Sequence, residues 1–251
     1  MNAFARQQQI LGLVRELGMV QCQWLAEHFG VTVQTIRRDV DQLAASSSVR
    51  RYRGGVAAPS SIENVDYSAR KLLMADEKRR IARAAAGQVP DGVSLFINIG
   101  TTTEAVAQAL FDRDGLRVIT NNLNVATLLH NNTRFSVSIA GGDVRTRDGG
   151  IVGEATIDFI RQFKVDIGIS GIDAEGDLLD YDYQEVRVAR AIIENSRKVF
   201  LVADHTKFGR SAVVRLGHLS QVNALFTDRP PPAKMQEMAA ASGCIVHVAE
   251  E

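Results

Sequence analysis

The segment Val31–Val40, which reads VTVQTIRRDV, limits the possible folds of this chain more than any other ten residues. Thr32 is a residue type that caps helices, and Ile36, Val40 and Leu43 follow at the i, i+4 and i+7 spacing of one helix face. Glutamine and arginine can pair with base edges, and threonine and arginine also bind phosphates. The segment therefore predicts either a DNA-reading helix or an amphipathic helix with a solvated basic face, formed in both cases by Gln34, Thr35, Arg37 and Arg38.

The preceding residues favour the DNA-reading interpretation. Phe4–Leu17 and Gln23–Phe29 are predicted helices, separated by a short extended piece, and Gly30 begins a tight turn into the third helix. Two helices, a turn containing glycine and a further helix form a helix-turn-helix. Val49–Arg53, followed by two glycines, predicts a small basic hairpin, or wing, whose arginines would contact phosphates or the minor groove. The predicted DNA-binding residues are Thr32, Gln34, Thr35, Arg37, Arg38, Arg50, Arg51 and Arg53.

The charge is unevenly distributed along the chain. The 251 residues contain 29 basic and 29 acidic side chains, yet residues 1–57 hold seven arginines and four carboxylates, which leaves 22 basic and 25 acidic side chains for residues 58–251. A basic end on a mildly acidic body is typical of a nucleic-acid-binding module joined to another domain. We predict a DNA-binding domain over 1–57, a linker over 58–75 and an α/β domain over 76–251.

Several other classes of protein are disfavoured. No apolar run approaches the ~18 residues that a membrane span needs, and the start of the chain has no signal-peptide core, so we expect a cytoplasmic protein without a membrane partner. Cys22 and Cys244 lie far apart and are expected to be free thiols. The five histidines show no ligand spacing, so we expect no metal and no cofactor.

From Asp76 onward the pattern predicts an α/β domain. Asp76–Gln88 is a predicted helix whose basic side chains, Lys78, Arg79, Arg80 and Arg83, belong to a solvated face rather than to a DNA contact. Apolar runs such as LFINI, VDIGIS and KVFLVAD are typical of strands that are covered on both faces. They alternate with helical segments, which indicates a mostly parallel sheet. The principal predicted strands are Ser94–Ile99, Arg117–Thr120, Phe135–Ala140, Val165–Ser170, Lys198–Ala203, Ala224–Thr227 and Cys244–Val248.

Polar and glycine-rich residues follow several of these strands, where ligands bind in such sheets. Gly100–Thr103 opens a helix with a glycine and three hydroxyl groups, which suits a phosphate. Each strand end taken singly could be a simple turn, and Glu185 could be only a helix N-terminal charge. Together they predict a pocket for a phosphorylated polyhydroxy compound. The predicted effector-binding residues are Gly100, Thr101, Thr102, Thr103, Asn121, Asn122, Gly141, Gly142, Arg145, Asp173, Glu185 and Lys207.

The chain resembles the DeoR family of bacterial transcription regulators. The spacing Arg6-x3-Ile10-x3-Val14, followed by Thr32-x2-Thr35-Ile36-Arg37-Arg38-Asp39-Val40, matches the family's DNA-binding signature. One departure is Ser46–Ser48, at the turn where relatives usually have Gly or Asn and an apolar residue; it predicts a looser wing or a shorter wing strand. The runs IGTTT, TNN, GGDVR, GIDAEG, YQEVR and DHTKFG resemble the family's effector domain, which is similar in fold to ribose-5-phosphate isomerase. Many relatives have Asp where this chain has Asn98.

The resemblance implies a repressor that is released from an operator by a phosphorylated polyol or sugar. Runs such as INIGTTTEAVA and RAIIENSRKVFLVADHTKFGR are similar to family members that respond to glycerol 3-phosphate, and fructose 1-phosphate is the alternative effector. The resemblance also implies a homodimer or homotetramer. A third hypothesis, a sugar-phosphate isomerase with a DNA-binding tail, would use Asp173, Glu185 and Lys207 for proton transfer. It leaves the basic helix-turn-helix without a purpose, so we expect no enzymatic activity and no catalytic residues.

Overall fold

The computed structural model divides the chain into two compact units, Met1–Leu73 and Met74–Glu251. It describes residues 3–17, 19–46, 48–52, 54–57, 67–171, 173–174, 177–209 and 212–250. Half of the predicted linker, residues 58–66, therefore lies outside the described part, as do Arg53 and Ser47.

The N-terminal unit confirms the predicted winged helix-turn-helix. Its core consists of side chains that are almost completely buried, including Ile10, Leu25, Ile36, Val40 and Val56. The predicted extended piece joins the wing in one antiparallel sheet of order β1-β3-β2. The elements are α1 (Ala3–Leu17), β1 (Met19–Gln21), α2 (Cys22–Phe29), α3 (Val33–Ala45), β2 (Arg50–Tyr52), β3 (Gly55–Ala57) and α4 (Tyr67–Leu72).

The second unit confirms the predicted parallel sheet. Seven strands lie in the order β15-β14-β12-β9-β4-β5-β6, and every pair in that sheet is parallel. They are β4 (Ser94–Ile97), β5 (Arg117–Thr120), β6 (Ser136–Ile139), β9 (Val165–Gly171), β12 (Ser196–Val202), β14 (Ala224–Thr227) and β15 (Ile245–Val248).

Helices cover both faces of this sheet, as the near-continuous apolar strands require. Three pack in one buried cluster with alternate residues of β4 and β5, and the others pack on the opposite face. The first set is α5 (Ala75–Gly87), α6 (Thr101–Ala109) and α7 (Leu123–Leu129), and the second is α8 (Glu154–Arg161), α9 (Tyr183–Glu194) and α10 (Ala233–Ser242). On α5 the prediction of a solvated basic face is confirmed for Arg79 and Arg83 and is wrong for Lys78, which is buried.

Small antiparallel elements were not predicted. A hairpin joins β7 (Asp143–Val144) to β8 (Ile151–Val152), and a second sheet of order β10-β11-β13 is formed by Asp173–Ala174, Asp177–Asp180 and Val214–His218. Such strands are too short for an alternating pattern to stand out. Turns of 3-10 helix occur at Leu110–Asp112, His205–Lys207 and Leu219–Gln221. The hairpin β7–β8 is the one of these elements that bears on the predicted effector site, because it follows β6 at the carboxyl edge of the main sheet.

Candidate DNA interface and effector site

Helix α3 presents the predicted polar face to solvent. The Thr32 side chain caps the helix by accepting a hydrogen bond of 3.2 Å from the backbone N–H of Thr35. Gln34, Arg37 and Arg38 are exposed, whereas Ile36 is fully buried on the opposite side. Within the described ranges, neither Arg37 nor Arg38 forms an ion pair. Their charges are therefore available for an external partner, although their contact with DNA stays a prediction.

The carboxylate nearest to these arginines faces the protein interior. Asp39 accepts a hydrogen bond of 2.6 Å from Nε of Arg6 on α1, and the two side chains are only 5 % and 9 % exposed. Gln7 also donates to Asp39, over 3.2 Å. This pair could not be predicted from residue spacing because 33 positions separate its members. Its consequence is that the negative charge of Asp39 is neutralised inside the unit and reduces the positive potential of the exposed face less than an exposed carboxylate would.

The wing is less free to bind phosphates than the sequence predicted. Arg51 forms an ion pair with Asp41 of α3, and both side chains are about half exposed, at 53 % and 52 %. Arg50 is exposed on the same strand. Arg53 lies outside the described residues. The DNA contacts of all three arginines stay predictions.

The serine turn before the wing is held by side-chain hydrogen bonds. Ser46 Oγ donates to the carbonyl of Leu43 over 2.9 Å and lies 2.9 Å from Ser48 Oγ, and the Ser48 N–H donates to the same carbonyl over 2.9 Å. Val49, the next residue, is buried in the core. Two of these bonds go to the Leu43 carbonyl and satisfy an acceptor at the end of α3, and the wing strand β2 is three residues long. A looser wing or a shorter wing strand than in relatives stays a prediction.

The predicted phosphate loop forms the N-terminus of α6. Gly100 has a φ of 146°, in the region that favours glycine, and it is the N-cap residue of the helix. Thr101 is half-buried, whereas Thr102 is 5 % and Thr103 0 % exposed. The hydroxyl of Thr103 lies within hydrogen-bonding distance of the carbonyl groups of Asn98 (2.8 Å) and Gly100 (2.7 Å). Of the three hydroxyl groups, that of Thr101 is therefore the most accessible, and the Thr103 hydroxyl shapes the loop.

The two asparagines after β5 have different environments. Asn122 is fully buried and caps α7, because its Oδ1 accepts from the N–H groups of Asn124 and Val125 and its Nδ2 donates to Glu104. Asn121 is also buried, and its Nδ2 donates to the Ile151 carbonyl of β8 over 3.2 Å. Both polar atoms of the Asn122 side chain thus form hydrogen bonds within the protein, and the Asn121 side chain joins the hairpin to the sheet by a hydrogen bond.

The glycines after β6 allow close packing under α8. Thr156 Oγ1 donates to the Gly141 carbonyl over 2.8 Å. Gly142 has a φ of 145°, and a Cβ there would lie 2.2 Å from Thr156 Oγ1 and 2.6 Å from the Val152 carbonyl. Gly142 is therefore required by the backbone next to the hairpin, whether or not it also approaches a ligand.

Arg145 lies at the centre of an ionic cluster. Its guanidinium contacts Asp148 at 2.6 Å, Glu185 at 2.8 Å and Asp182 at 3.0 Å, and only 12 % of the side chain is exposed. Burial opposes the charged form, but Glu185, Asp148 and Asp182 outweigh it and raise the pKa of Arg145. Arg147 adds a second contact to Asp182 at 2.6 Å. The structure places Arg145 between the hairpin and the N-terminus of α9, and its predicted role as a cation for a phosphate stays a prediction.

The remaining predicted residues occupy the ends of β9 and β12. Asp173 pairs with Leu179 in the small sheet, and its side chain lies outside the described part. Lys207 is half-buried and ends the 3-10 helix after β12. Sequence reasoning missed the neighbouring pair of His205 and Asp228, in which Nδ1 lies 2.6 Å from Oδ2 and the His205 N–H donates to Oδ1 over 2.7 Å. The pair joins the ends of β12 and β14.

A cavity of about 270 Å³ lies away from these strand ends, between α9 and β13. Arg190 in its lining donates to the carbonyls of Arg215 and Leu216, so its guanidinium is used for structure. This cavity does not contain the residues predicted to bind the effector, and their location at the strand ends stays a prediction. Over the residues that the structure covers, no group of three His, Cys, Asp or Glu could hold a metal ion, and no helix is both long and apolar enough to cross a bilayer.

Two family models match the chain. A DeoR-like helix-turn-helix domain matches residues 6–62, and a DeoR C terminal sensor domain matches residues 73–229. The chain is 52 % identical over 241 residues to the glycerol-3-phosphate regulon repressor of Escherichia coli (strain K12), covering 95 % of this chain and 96 % of the relative. The repressor of the same name from Haemophilus influenzae (strain ATCC 51907 / DSM 11121 / KW20 / Rd) is 53 % identical over 234 residues, covering 92 % and 91 %.

More distant similarities extend this set. The transcriptional repressor CsqR of Escherichia coli (strain K12) is 39 % identical over 234 residues, covering 92 % of this chain and 90 % of the relative. Among solved structures, ribose 5-phosphate isomerase A from Methanocaldococcus jannaschii aligns at 16 % identity with a TM-score of 0.40, covering 54 % of this chain and 55 % of that one. A Pyrococcus horikoshii OT3 translation initiation factor eIF-2B aligns at 16 % identity with a TM-score of 0.45, covering 89 % and 86 %.

Proposed function

Since the chain belongs to the DeoR family of transcriptional regulators, we propose that it is a repressor that leaves its operator when a phosphorylated polyol binds the α/β unit. Glycerol 3-phosphate is the first candidate effector, because the relatives above 50 % identity are named for its regulon. The three relatives described above cover nine-tenths of the chain and are named repressors rather than enzymes, which argues against the isomerase hypothesis. Such a protein acts on DNA in the cytoplasm.

The observation that carries the DNA-binding half is the exposed face of α3. Arg37 and Arg38 are exposed and unpaired within the described residues, and the only carboxylate between Thr32 and Val40 is buried against Arg6. A cationic face with a glutamine beside it can bind phosphates and pair with base edges. We further propose a homodimer or homotetramer, because two α3 helices related by a two-fold axis would bind repeated half-sites of the operator.

The effector half is supported by the loop Gly100–Thr103. Free N–H groups at the start of α6, the accessible Thr101 hydroxyl and the positive end of the helix dipole are suited to a phosphate. The effector can release the repressor only if it binds more tightly to a form of the protein that cannot place two α3 helices on the operator. The release is limited by the difference in effector affinity between that form and the DNA-bound form.

Fluorescence anisotropy on a duplex selected by the full-length protein from a random library tests this proposal. Glycerol 3-phosphate at millimolar concentration should release the duplex, whereas glycerol with inorganic phosphate should not. Persistent binding at millimolar glycerol 3-phosphate would refute that effector. If fructose 1-phosphate raises the melting temperature of the protein more than glycerol 3-phosphate does, the effector is a hexose phosphate rather than a polyol phosphate.

A further inference from the structure

Two buried asparagine side chains have an oxygen without a partner. Asn98 and Asn121 are each only 1 % exposed. In the part of the chain that the structure describes, neither Oδ1 receives a hydrogen bond. An enclosed amide oxygen without a donor is costly, so native proteins supply it with a protein group, a water molecule or a ligand.

These two residues lie side by side at the carboxyl edge of the sheet. Asn98 directly follows β4 and Asn121 directly follows β5, and the last paired residues of the two parallel strands, Ile97 and Thr120, are in register. Neighbouring strands are about 4.8 Å apart, so the two asparagines are adjacent. This edge is also where the loop Gly100–Thr103 begins.

The two amides share one face of the sheet. Phe96 and Ile119, each two positions earlier, belong to the same buried cluster with residues of α8 and α9. Since side chains alternate along a strand, residues two positions apart point to the same face. Asn98 and Asn121 therefore both lie on the α8–α9 side, towards the hairpin β7–β8.

The nitrogen atoms of both amides are already used. Asn98 Nδ2 donates to Ser170 Oγ over 3.1 Å, and Asn121 Nδ2 donates to the Ile151 carbonyl over 3.2 Å. Ser170 is itself buried at the end of β9. These bonds fix the two amide planes and leave each Oδ1 as an enclosed acceptor, which suits a hydroxyl donor.

On the basis of the proposed function, we propose that the amide oxygens of Asn98 and Asn121 accept hydrogen bonds from the hydroxyl groups of the effector. The Asn98 carbonyl is tied to the phosphate loop by the Thr103 hydroxyl, so one short segment presents both an anion site and a hydroxyl acceptor. The pair selects polyol phosphates over phosphates that lack neighbouring hydroxyl groups.

A neutral acceptor is well suited to this position. Asp148, Asp182 and Glu185 already surround Arg145 nearby, and a Cβ on Gly150 would lie 3.1 Å from that guanidinium and 2.6 Å from the Ile99 side chain. A further carboxylate at position 98 would add negative charge two residues before the phosphate loop. The amide oxygen accepts a hydrogen bond from a hydroxyl group without that repulsion.

The test is a thermodynamic cycle on the full-length protein, measured by isothermal titration calorimetry. Three ligands are compared: glycerol 3-phosphate, propane-1,3-diol monophosphate, which lacks the central hydroxyl, and propyl phosphate, which lacks both. Asn98→Leu and Asn121→Leu keep most of the side-chain volume and remove the acceptor. Asn131→Leu, at an exposed asparagine after α7, is the matched control.

We expect the unaltered protein to prefer glycerol 3-phosphate to propyl phosphate by at least tenfold. Each buried variant should reduce this ratio about five- to tenfold, which corresponds to one neutral hydrogen bond, while propyl phosphate affinity changes by less than about threefold. The Asn131 variant should keep the ratio. Retained binding of propyl phosphate shows that the altered site is folded, and Asn98→Ala provides a second variant if leucine disturbs the core.

Two negative outcomes are distinguishable. If the unaltered protein discriminates between the ligands and both buried variants keep the ratio, the amides do not read hydroxyl groups and this inference alone is overturned. If the unaltered protein binds no polyol or sugar phosphate, the proposed function is overturned and the inference falls with it.

Discussion

Replacing Arg6 by methionine would leave the Asp39 carboxylate inside the helical unit without its guanidinium partner. Removing one member of a buried ion pair is strongly destabilising because the other charge stays desolvated. We expect Arg6→Met to lower the free energy of unfolding of the N-terminal unit by about 3 kcal/mol, measured by urea denaturation. Operator affinity should fall only in proportion to the unfolded fraction.

Two variants separate this structural role from DNA contact. The double change Arg6→Met with Asp39→Leu removes both charges and should recover most of the lost stability. Arg38→Ala, on the exposed face, should leave stability within about 0.5 kcal/mol of the original and weaken operator binding about tenfold. Equal effects of Arg6→Met and Arg38→Ala on stability would contradict this division of roles.

At the scale of the helix, the cap of α3 can be tested apart from its DNA-facing chemistry. Thr32→Ala removes the acceptor for the Thr35 N–H and should cost about 1 kcal/mol of stability. Thr32→Asp restores the cap and adds a favourable charge at the helix N-terminus, yet it should weaken operator binding by repelling phosphates. Thermal unfolding measures the stability of these variants, and fluorescence anisotropy measures their operator affinity. An unchanged operator affinity of Thr32→Asp would show that Thr32 does not lie near the phosphate backbone of the DNA.

The hairpin and α9 form a second testable pair of elements. Burial opposes ionisation of Asp182, but the Glu185 N–H and the charges of Arg145 and Arg147 outweigh it and lower the pKa of Asp182 below its ordinary 3.8. A lowered folded-state pKa means that this group contributes stability above pH 3.8, and that the contribution is lost as the pH falls through the folded value. Asp182→Asn keeps the helix cap and removes the charge. We expect it to destabilise the protein by about 1 kcal/mol at pH 7, and this difference should shrink steadily as the pH is lowered below 3.8 and through the folded-state pKa. A difference that stays constant throughout an acid titration that begins at pH 7 and continues to the acid limit of the folded protein would contradict the assignment.

The elements also show what local pattern could predict. Helical spacing and apolar runs located α1, α3, α5 and the parallel strands, because each is long enough to show its period. The starts of α6 and α8 lie three residues earlier than predicted, since Gly100 and Gly153, both at positive φ, act as their caps. Some of the side-chain pairs at the two sites join residues more than 30 positions apart, such as Arg6 with Asp39 and Arg145 with Asp182. Spacing carries no signal for such pairs, so the motif residues were found and their partners were not.

At the scale of the whole molecule, positive charge is concentrated at the start of the chain, so we expect operator affinity to depend on salt concentration. The size of this dependence reports how many copies of the protein bind the DNA. Counterion release gives log–log plots of affinity against salt a slope of about −0.9 per phosphate neutralised. Two copies that each neutralise three to five phosphates should give a slope between about −5 and −9. The exposed cations of the described residues that can contribute include Arg37, Arg38 and Arg50.

Arg38→Ala converts this slope into a count of subunits on the operator. If the operator holds two recognition helices, the variant loses two phosphate or base-edge cations at once, and the slope should become shallower by about 1.8. A single bound copy would change it by about 0.9. The two slopes are compared by anisotropy titrations of both proteins at salt concentrations from about 50 to about 300 mM, where such plots are linear. Arg79→Ala on α5 is the matched control, because that exposed arginine already pairs with Asp76 and is predicted to face solvent rather than DNA. A change near 0.9 would rule out the paired recognition helices, and a change with Arg79→Ala would extend the DNA contact to α5.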